Sequence, residues 1–282
     1  MPWQAFLGLS ILAEVCGRLI QRVLLRDDKS DPIAYLIVFL FVAGFLIGIY
    51  AVVTGFHIPP LGPILPNLLL MPVLYGAANV FIFKSLKSTE ASVFTVLFAS
   101  RALWLIFGAL IFLHERFIST QFLGAFLIIA AVVLVSWKRQ KISLQRGELY
   151  AILAALLFAV AILNDSFIVK TFDVVSYEAI TYIATSLFIW LIYRHKTREV
   201  LSLARDTIIG KIAFLSIAYS ISSVGYFMAY KLGNNAAQLG ALYQLSSVLT
   251  VLFAIVLLNE KSNVKTKIFA GLLSFAGMLL VK

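Results

Sequence analysis

Charged residues are scarce in this chain: they fill 13% of its 282 positions, against 62% hydrophobic residues and a mean hydropathy of +0.99. A water-soluble fold cannot hide that much apolar surface, whereas hydrocarbon accepts it on every helix. There is one cysteine, Cys16, so no intramolecular disulfide can form and the redox compartment is not legible. The three histidines, His57, His114 and His195, lie near loops at spacings that make no metal site. A Walker A sequence or other glycine-rich phosphate loop is missing, so ATP-driven work by this chain has no support. Nor can a nucleophile–base set be assembled, so neither an enzyme nor a cofactor is expected. The first apolar run is too long for a cleaved signal peptide and lacks a basic lead, and it is expected to stay as a helix.

What is present is a series of about ten apolar runs, each near the length a helix needs to cross a bilayer. The hydropathy pattern places them at 3–25, 32–54, 67–86, 91–113 and 119–137, then 147–170, 176–194, 208–231, 235–258 and 267–281. The runs are too long for membrane β-strands and do not alternate apolar with polar, so the expected fold is an all-α membrane protein. Connections are short and polar, such as Arg26-Asp27-Asp28-Lys29-Ser30-Asp31 and Lys138-Arg139-Gln140-Lys141. Four of the seven prolines crowd into Pro59, Pro60, Pro63 and Pro66, which marks a stiff connector, and none follows Pro72.

The net charge of +10 does not point to nucleic acid, because lysine and arginine sit between the apolar runs. They gather in loops after odd-numbered runs, with Arg26, Lys29, Lys138, Arg139, Lys141, Arg194, Lys196 and Arg198 among them. Loops after even-numbered runs hold only Arg116, Lys170 and Lys231, with Lys282 at the end. On the positive-inside rule the odd loops are cytoplasmic and both termini lie outside.

The two halves repeat. Residues 91–115 (ASVFTVLFASRALWLIFGALIFLHE) match 236–260 (AAQLGALYQLSSVLTVLFAIVLLNE) in character: each is an apolar helix closed by Glu and followed by a basic connector. A small-residue helix then follows in each, from Gly124 and from Gly271. With five runs per half, the second copy enters the membrane the other way up. Repeats at 1–140 and 147–282 are therefore expected to be inverted, and such symmetry usually sets a substrate site near the midplane.

This doubled pattern resembles the EamA-type drug/metabolite transporters, which have two five-helix halves, each with a Glu closing its fourth helix and a Gly opening its fifth. Glu115, Gly124, Glu260 and Gly271 are the matching positions, and the resemblance covers essentially the whole chain. It implies a membrane transporter rather than an enzyme, with both termini commonly cytoplasmic. The chain departs from the family where its fourth and ninth helices often carry a proline; here those places are Arg101-Ala102 and Ser246-Ser247. The first helix also resembles that of the small multidrug resistance family, through Ile11-Leu12-Ala13-Glu14-Val15-Cys16-Gly17. In that family the embedded Glu binds protons and cations in competition, a role only Glu14 could inherit. Arg18 stands where that family has a small polar residue, which weakens a simple cation-binding reading.

Candidate site residues are the polar groups at bilayer depth, where charge costs about 2.5–3.5 kcal/mol even on insertion scales. Glu14 and Arg18 share one helix face at i, i+4 spacing and read either as a gate or coupling pair or as a structural ion pair. Arg101, with Trp104 on the same face, could take a carboxylate, or could merely neutralise Glu14 or Asp165. Asn164 and Asp165 lie in the sixth run, Asp165 being a candidate proton or ammonium site or an arginine partner. Tyr219, Ser223, Tyr226 and Tyr230 form a stripe along the eighth run that suits a cavity wall or interhelical hydrogen bonds. Gly240, Tyr243, Gln244 and Ser247 make a similar face in the ninth, and Tyr75 and Asn79 a weaker one in the third.

Plainer roles fit the rest. Lys84, Lys170 and Lys211 near run ends can snorkel, Trp3, Trp137 and Trp190 suit belt anchors, and Glu115 and Glu260 read as structural helix-end groups. Gly44-x-x-x-Gly48 allows close helix packing and is weak as a dimer motif.

These features are read as a secondary transporter of a small organic metabolite such as an amino acid, exporting it by alternating access. Its partners are the solute, the lipid bilayer and, if coupled, protons. A bacterial or archaeal inner membrane and a monomer or weak homodimer are expected. A proton-coupled cationic drug antiporter and a lipid-linked sugar flippase are the alternatives.

Overall fold

The structure is a computed structural model that describes residues 2–24, 31–88, 94, 97–136, 145–206, 208–233, 235–257 and 264–281. The loops at 25–30 and 138–141, Trp137 and Glu260 lie outside the described residues. Twelve α-helices are described and no strands. They are α1 (Trp3–Leu24), α2 (Pro32–Thr54), α3 (Leu65–Ser88), α4 (Arg101–Phe112), α5 (Ser119–Ser136) and α6 (Arg146–Ile168), then α7 (Val174–Ile192), α8 (Thr197–Arg205), α9 (Ile208–Gly233), α10 (Ala236–Tyr243), α11 (Leu245–Leu257) and α12 (Val264–Val281).

Eight segments among the described residues are long and apolar enough to cross a membrane, and α4 and α5 contribute two shorter apolar helices. This agrees with the all-α, multi-span reading. Apolar side chains face outward freely: Val53 is 79% and Val256 78% exposed. Water penalises that arrangement and lipid does not.

The chain folds into two compact units, which differ from the sequence halves. Unit 1 comprises residues 1–80 and 164–233, and unit 2 comprises 81–163 and 234–282. Each unit draws on both halves of the chain, so a repeat in sequence and a compact unit in space are different divisions.

In unit 1, α2 lies against α7 and α1 against α9, while α9 also touches α2. Proline at N1 and the Asp31 cap start α2, with Asp31 Oδ1 accepting from the Ile33 and Ala34 amides at 3.0 Å each. Lys196 Nζ donates to Asp31 Oδ2 at 2.9 Å, tying this cap to the turn before α8. Desolvation opposes ionisation of Asp31, but the Lys196 hydrogen bond, the Ala34 and Ile33 amides and the Lys196 charge outweigh it, and its carboxyl sits below the usual range. The Lys196 ammonium is raised in turn, by its hydrogen bond to Asp31 first. Gly55 ends α2 at φ 107°, a left-handed turn glycine adopts without strain.

The helix α7 starts in the same way. Asp173 accepts from the Ser176 amide and hydroxyl, both at 2.8 Å, and Ser176 Oγ in turn accepts from the His57 amide at 3.1 Å. That last bond anchors the proline-rich connector to the first turn of α7. Gly44 lets α2 and α7 approach: a Cβ there would meet the Ile183 amide nitrogen at 2.9 Å. Of the Gly44-x-x-x-Gly48 pair it is Gly44 that is used in this way, since a Cβ on Gly48 would meet only Ala179 Cβ at 3.9 Å. Short α8, absent from the hydropathy reading, packs Val200 and Leu203 onto Ala34, Tyr35, Val38, Ile212 and Leu215, with Arg198, Glu199 and Arg205 exposed. A nine-residue amphipathic helix is too short and polar for a span pattern to find it.

In unit 2, α5 pairs with α12 and α4 with α10. Gly124 and Gly277 face each other so closely that a Cβ on Gly124 would meet the Gly277 carbonyl at 2.6 Å, and one on Gly277 the Gly124 carbonyl at 2.7 Å. With no gain from hiding apolar surface in lipid, such backbone contact supplies the dispersion that holds membrane helices together. Glu115 acts as an inter-helix cap: its Oε1 and Oε2 accept the Ala236 and Ala237 amides at 2.8 and 2.9 Å, at the start of α10. A carboxylate there also suits the positive end of the helix dipole.

The fourth and ninth runs, both in unit 2, are interrupted. Turns at Ala99-Ser100 and at Gln244 split the fourth and ninth runs, and the two places share one register of the repeat. Ser100 N bonds to Leu97 O at 3.1 Å and Ser247 N to Gln244 O at 3.0 Å, which are i→i+3 contacts in place of helical ones. Each break falls just before the proline-free positions Arg101-Ala102 and Ser246-Ser247.

Candidate functional site

The polar interior of unit 1 is built from α1, α3, α6, α7 and α9. On α1, Glu14 is 8% exposed, and Arg18 Nε donates to its Oε1 at 2.9 Å. Helical spacing brings the two together within one helix, and Ser222 Oγ approaches Glu14 Oε2 at 3.4 Å from α9. Ser10, one turn earlier, donates to the Ser222 carbonyl at 2.5 Å. Close approach of α1 and α9 depends on Gly225, whose Cβ would sit 3.1 Å from the Phe6 carbonyl.

Asp165 is the centre of the second group. It is 0% exposed, and two phenols donate to it: Tyr75 from α3 to Oδ2 at 2.6 Å and Tyr177 from α7 to Oδ1 at 2.5 Å. Pairs this short are typical of hydroxyls serving a carboxylate. Asn164 exchanges two bonds with Asn67 of α3: its Oδ1 accepts from the Asn67 side-chain amide at 2.7 Å, and its Nδ2 donates to the Asn67 carbonyl at 3.0 Å. Asn79, by contrast, donates to the Tyr75 carbonyl at 2.8 Å, back along its own helix. Glu178, beside Tyr177 on α7, is 1% exposed and accepts a hydrogen bond from Ser223 of α9. Tyr226 is buried on α9, edge-on to Phe227 at 5.3 Å.

Unit 2 holds the remaining candidates. Arg101 begins α4 at the break in its run, with its guanidinium carbon 5.0 Å from the Phe98 ring centre, 5.4 Å from Phe158 and 5.8 Å from Tyr243. Contacts of this kind contribute about 0.5–2 kcal/mol, more as water is excluded. Trp104 is 41% exposed and is not one of these rings. Gln244 is buried at the second break, and Ser247 follows it in the first turn of α11.

The structure thus gathers Glu14, Arg18, Tyr75, Asn164, Asp165 and Ser223 into unit 1, and Arg101 and Tyr243 into unit 2. Sequence reasoning missed Asn67, Tyr177, Glu178 and Ser222. Glu178 had a usable signal, a carboxylate within an apolar run. Starting that run at 176 put Glu178 at its edge, where charge is unremarkable, whereas the helix starts at Val174 and Glu178 is interior.

Among the described residues no group of three or more His, Cys, Asp or Glu could hold a metal ion. Chemically, unit 1 presents buried carboxyls and phenols, and unit 2 a guanidinium among aromatic rings.

A bundle of membrane-length helices with paired repeats and buried polar groups is the build of a multi-pass membrane transporter. A family model described as the EamA-like transporter family matches residues 5–137 and again 145–282. The chain belongs to this family. A solved structure titled only as a protein crystal structure is 16% identical, covering 99% of this chain and 96% of its own, with a TM-score of 0.77. At that identity it supports the fold alone. No curated protein matches the chain.

Proposed function

We propose that the protein is a secondary transporter of a small amphoteric organic solute, such as an amino acid, which it exports by alternating access. The observation that carries this reading is Asp165, fully buried and held by two tyrosine hydroxyls within an interior otherwise served by Glu14, Glu178 and serines. Such a group suits the ammonium of a solute held in unit 1; in unit 2, Arg101 among its aromatic rings is a separate candidate for a carboxylate-binding role. Glu14, Arg18, Tyr75, Asn79, Trp104, Asn164, Ser223, Tyr226, Tyr243, Gln244 and Ser247 are assigned supporting roles in binding or coupling. The setting is a prokaryotic inner membrane, with the protein a monomer or weak homodimer.

The excess of carboxylates over cations in the interior of unit 1 favours one second reading, a proton-coupled exporter of cationic compounds with Glu14 in the coupling role. Proteoliposomes separate the two. Counterflow of labelled amino acids that falls at least tenfold in affinity with Arg101→Ala supports the amphoteric solute. Unchanged affinity in that variant removes Arg101 from the site, and flux of quaternary ammonium compounds in place of amino acids favours the second reading.

A further inference from the structure

The two fully buried carboxyls of unit 1 are satisfied unequally. Asp165 has a phenol donor on each oxygen, so its acceptors are met by fixed partners. Glu178 has Ser223 on Oε2, while Oε1 is shut off from solvent and has no hydrogen-bond partner among the described residues. A carboxylate oxygen buried in that way is costly, because it has given up water and gained nothing. A neutral carboxyl, by contrast, carries one O–H and needs fewer donors.

Among the described residues, the charged group acting on Glu178 is another carboxyl, Asp165. Within its electrostatic reach are Asp165 of α6, Tyr75 of α3, and Tyr177 and Tyr182 on its own helix. On α9, Ser223 donates to Glu178, and the side-chain nitrogen of Lys231 donates to the Phe172 carbonyl at 2.9 Å. On α2, Asp31 at the cap is bound to Lys196. On α1, Arg18 is paired with Glu14.

We propose that Glu178 Oε1 is the seat of an exchangeable proton, the group through which this transporter senses or couples to pH. The proton arrives from water, converts the carboxylate to a neutral acid while Ser223 continues to donate to Oε2, and returns to water when the site opens. Asp165, gripped on both oxygens, stays as the fixed acceptor. This assignment rests on the transporter reading for its purpose, but not for its test.

Infrared difference spectroscopy on the full-length protein in phospholipid vesicles, titrated from alkaline to acid pH with protons as the only probe, reads it directly. A carboxylic acid C=O band should grow in as pH falls, shift in deuterium oxide, and be lost in Glu178→Gln while persisting in Glu14→Gln. Ser223→Ala should keep the band and displace both its frequency and its midpoint, which preserves the test if Glu178→Gln does not fold. No titrating band in the wild type, an undiminished band in Glu178→Gln, or an unmoved one in Ser223→Ala would overturn the assignment. Because no solute is needed, a protein that shows the band but moves no amino acid overturns the proposed function and leaves Glu178 standing.

Discussion

Unit 1 and unit 2 each draw helices from both halves of the chain, yet their interiors are made differently. Unit 1 buries Ser10, Glu14, Asn164, Asp165, Glu178 and Ser222 in a web of side-chain hydrogen bonds that runs between helices. Unit 2 has a backbone approach, Gly124 against Gly277, with Arg101 half-buried beside a helix break and Glu148 and Lys267 as its buried charged residues. The contrast is therefore not between the halves but between positions along the repeat. Its second helices, α2 and α7, join the polar unit, and its fifth, α5 and α12, the close-packed one. Backbone packing is intolerant of added volume but indifferent to pH. A polar web tolerates isosteric change structurally but loses its chemistry.

The largest structural effect should therefore come from unit 2. Gly124→Val or Gly277→Val drives side-chain atoms into a carbonyl that cannot swing aside, and should cost about 3 kcal/mol or more. A lower melting temperature in detergent, or loss of the monodisperse protein, checks it; an unaltered melting curve would mean that α5 and α12 are not packed this way. Next, Tyr75→Phe and Tyr177→Phe each remove a donor to a buried carboxyl, worth about 1.5–3 kcal/mol. A double-mutant cycle with Asp165→Asn should show strong non-additivity, and simple addition of the separate losses would contradict the shared clasp.

A smaller effect sharpens the comparison at the membrane edge. Asp31 has its pKa lowered by Lys196 and the α2 amides, against the pull of desolvation. Its contribution to stability is present above the carboxyl's unfolded-state pKa and fades as pH falls through the lower folded-state value. Lys196, raised by Asp31, contributes below its own unfolded pKa and ceases to do so as pH rises through the folded one. The ion pair itself should add little, because solvent reaches and screens the Lys196 ammonium. Asp31→Ala should also lose the helix cap, for about 1 kcal/mol in total at neutral pH, and should flatten the acid limb of a stability–pH profile. A mutant profile parallel to the wild type in acid would count against the cap.

Much of this was legible in the sequence, for reasons specific to each element. Hydropathy placed the spans because crossing hydrocarbon demands long apolar runs. The Glu14–Arg18 pair follows from helical spacing alone, and Asp165 from the rarity of a carboxylate in an apolar run. The partners of Asp165 were not legible, because Tyr75 and Tyr177 meet it only through tertiary packing of α3, α6 and α7. The breaks at Ala99-Ser100 and Gln244 also escaped notice, since no proline marks them. The helix α8 was hidden by its length, and Glu178 by a span drawn two residues short.

The central claim is that the phenol-clasped carboxylate of unit 1 takes part in recognising the transported solute. Counterflow of labelled amino acids through proteoliposomes carrying wild-type or Asp165→Asn protein, matched for fold by melting temperature, tests it most directly. The account predicts flux in the wild type and a loss of about tenfold or more in Asp165→Asn, equivalent to about 1.4 kcal/mol or more of lost interaction. Wild-type flux in a well-folded Asp165→Asn protein would contradict it.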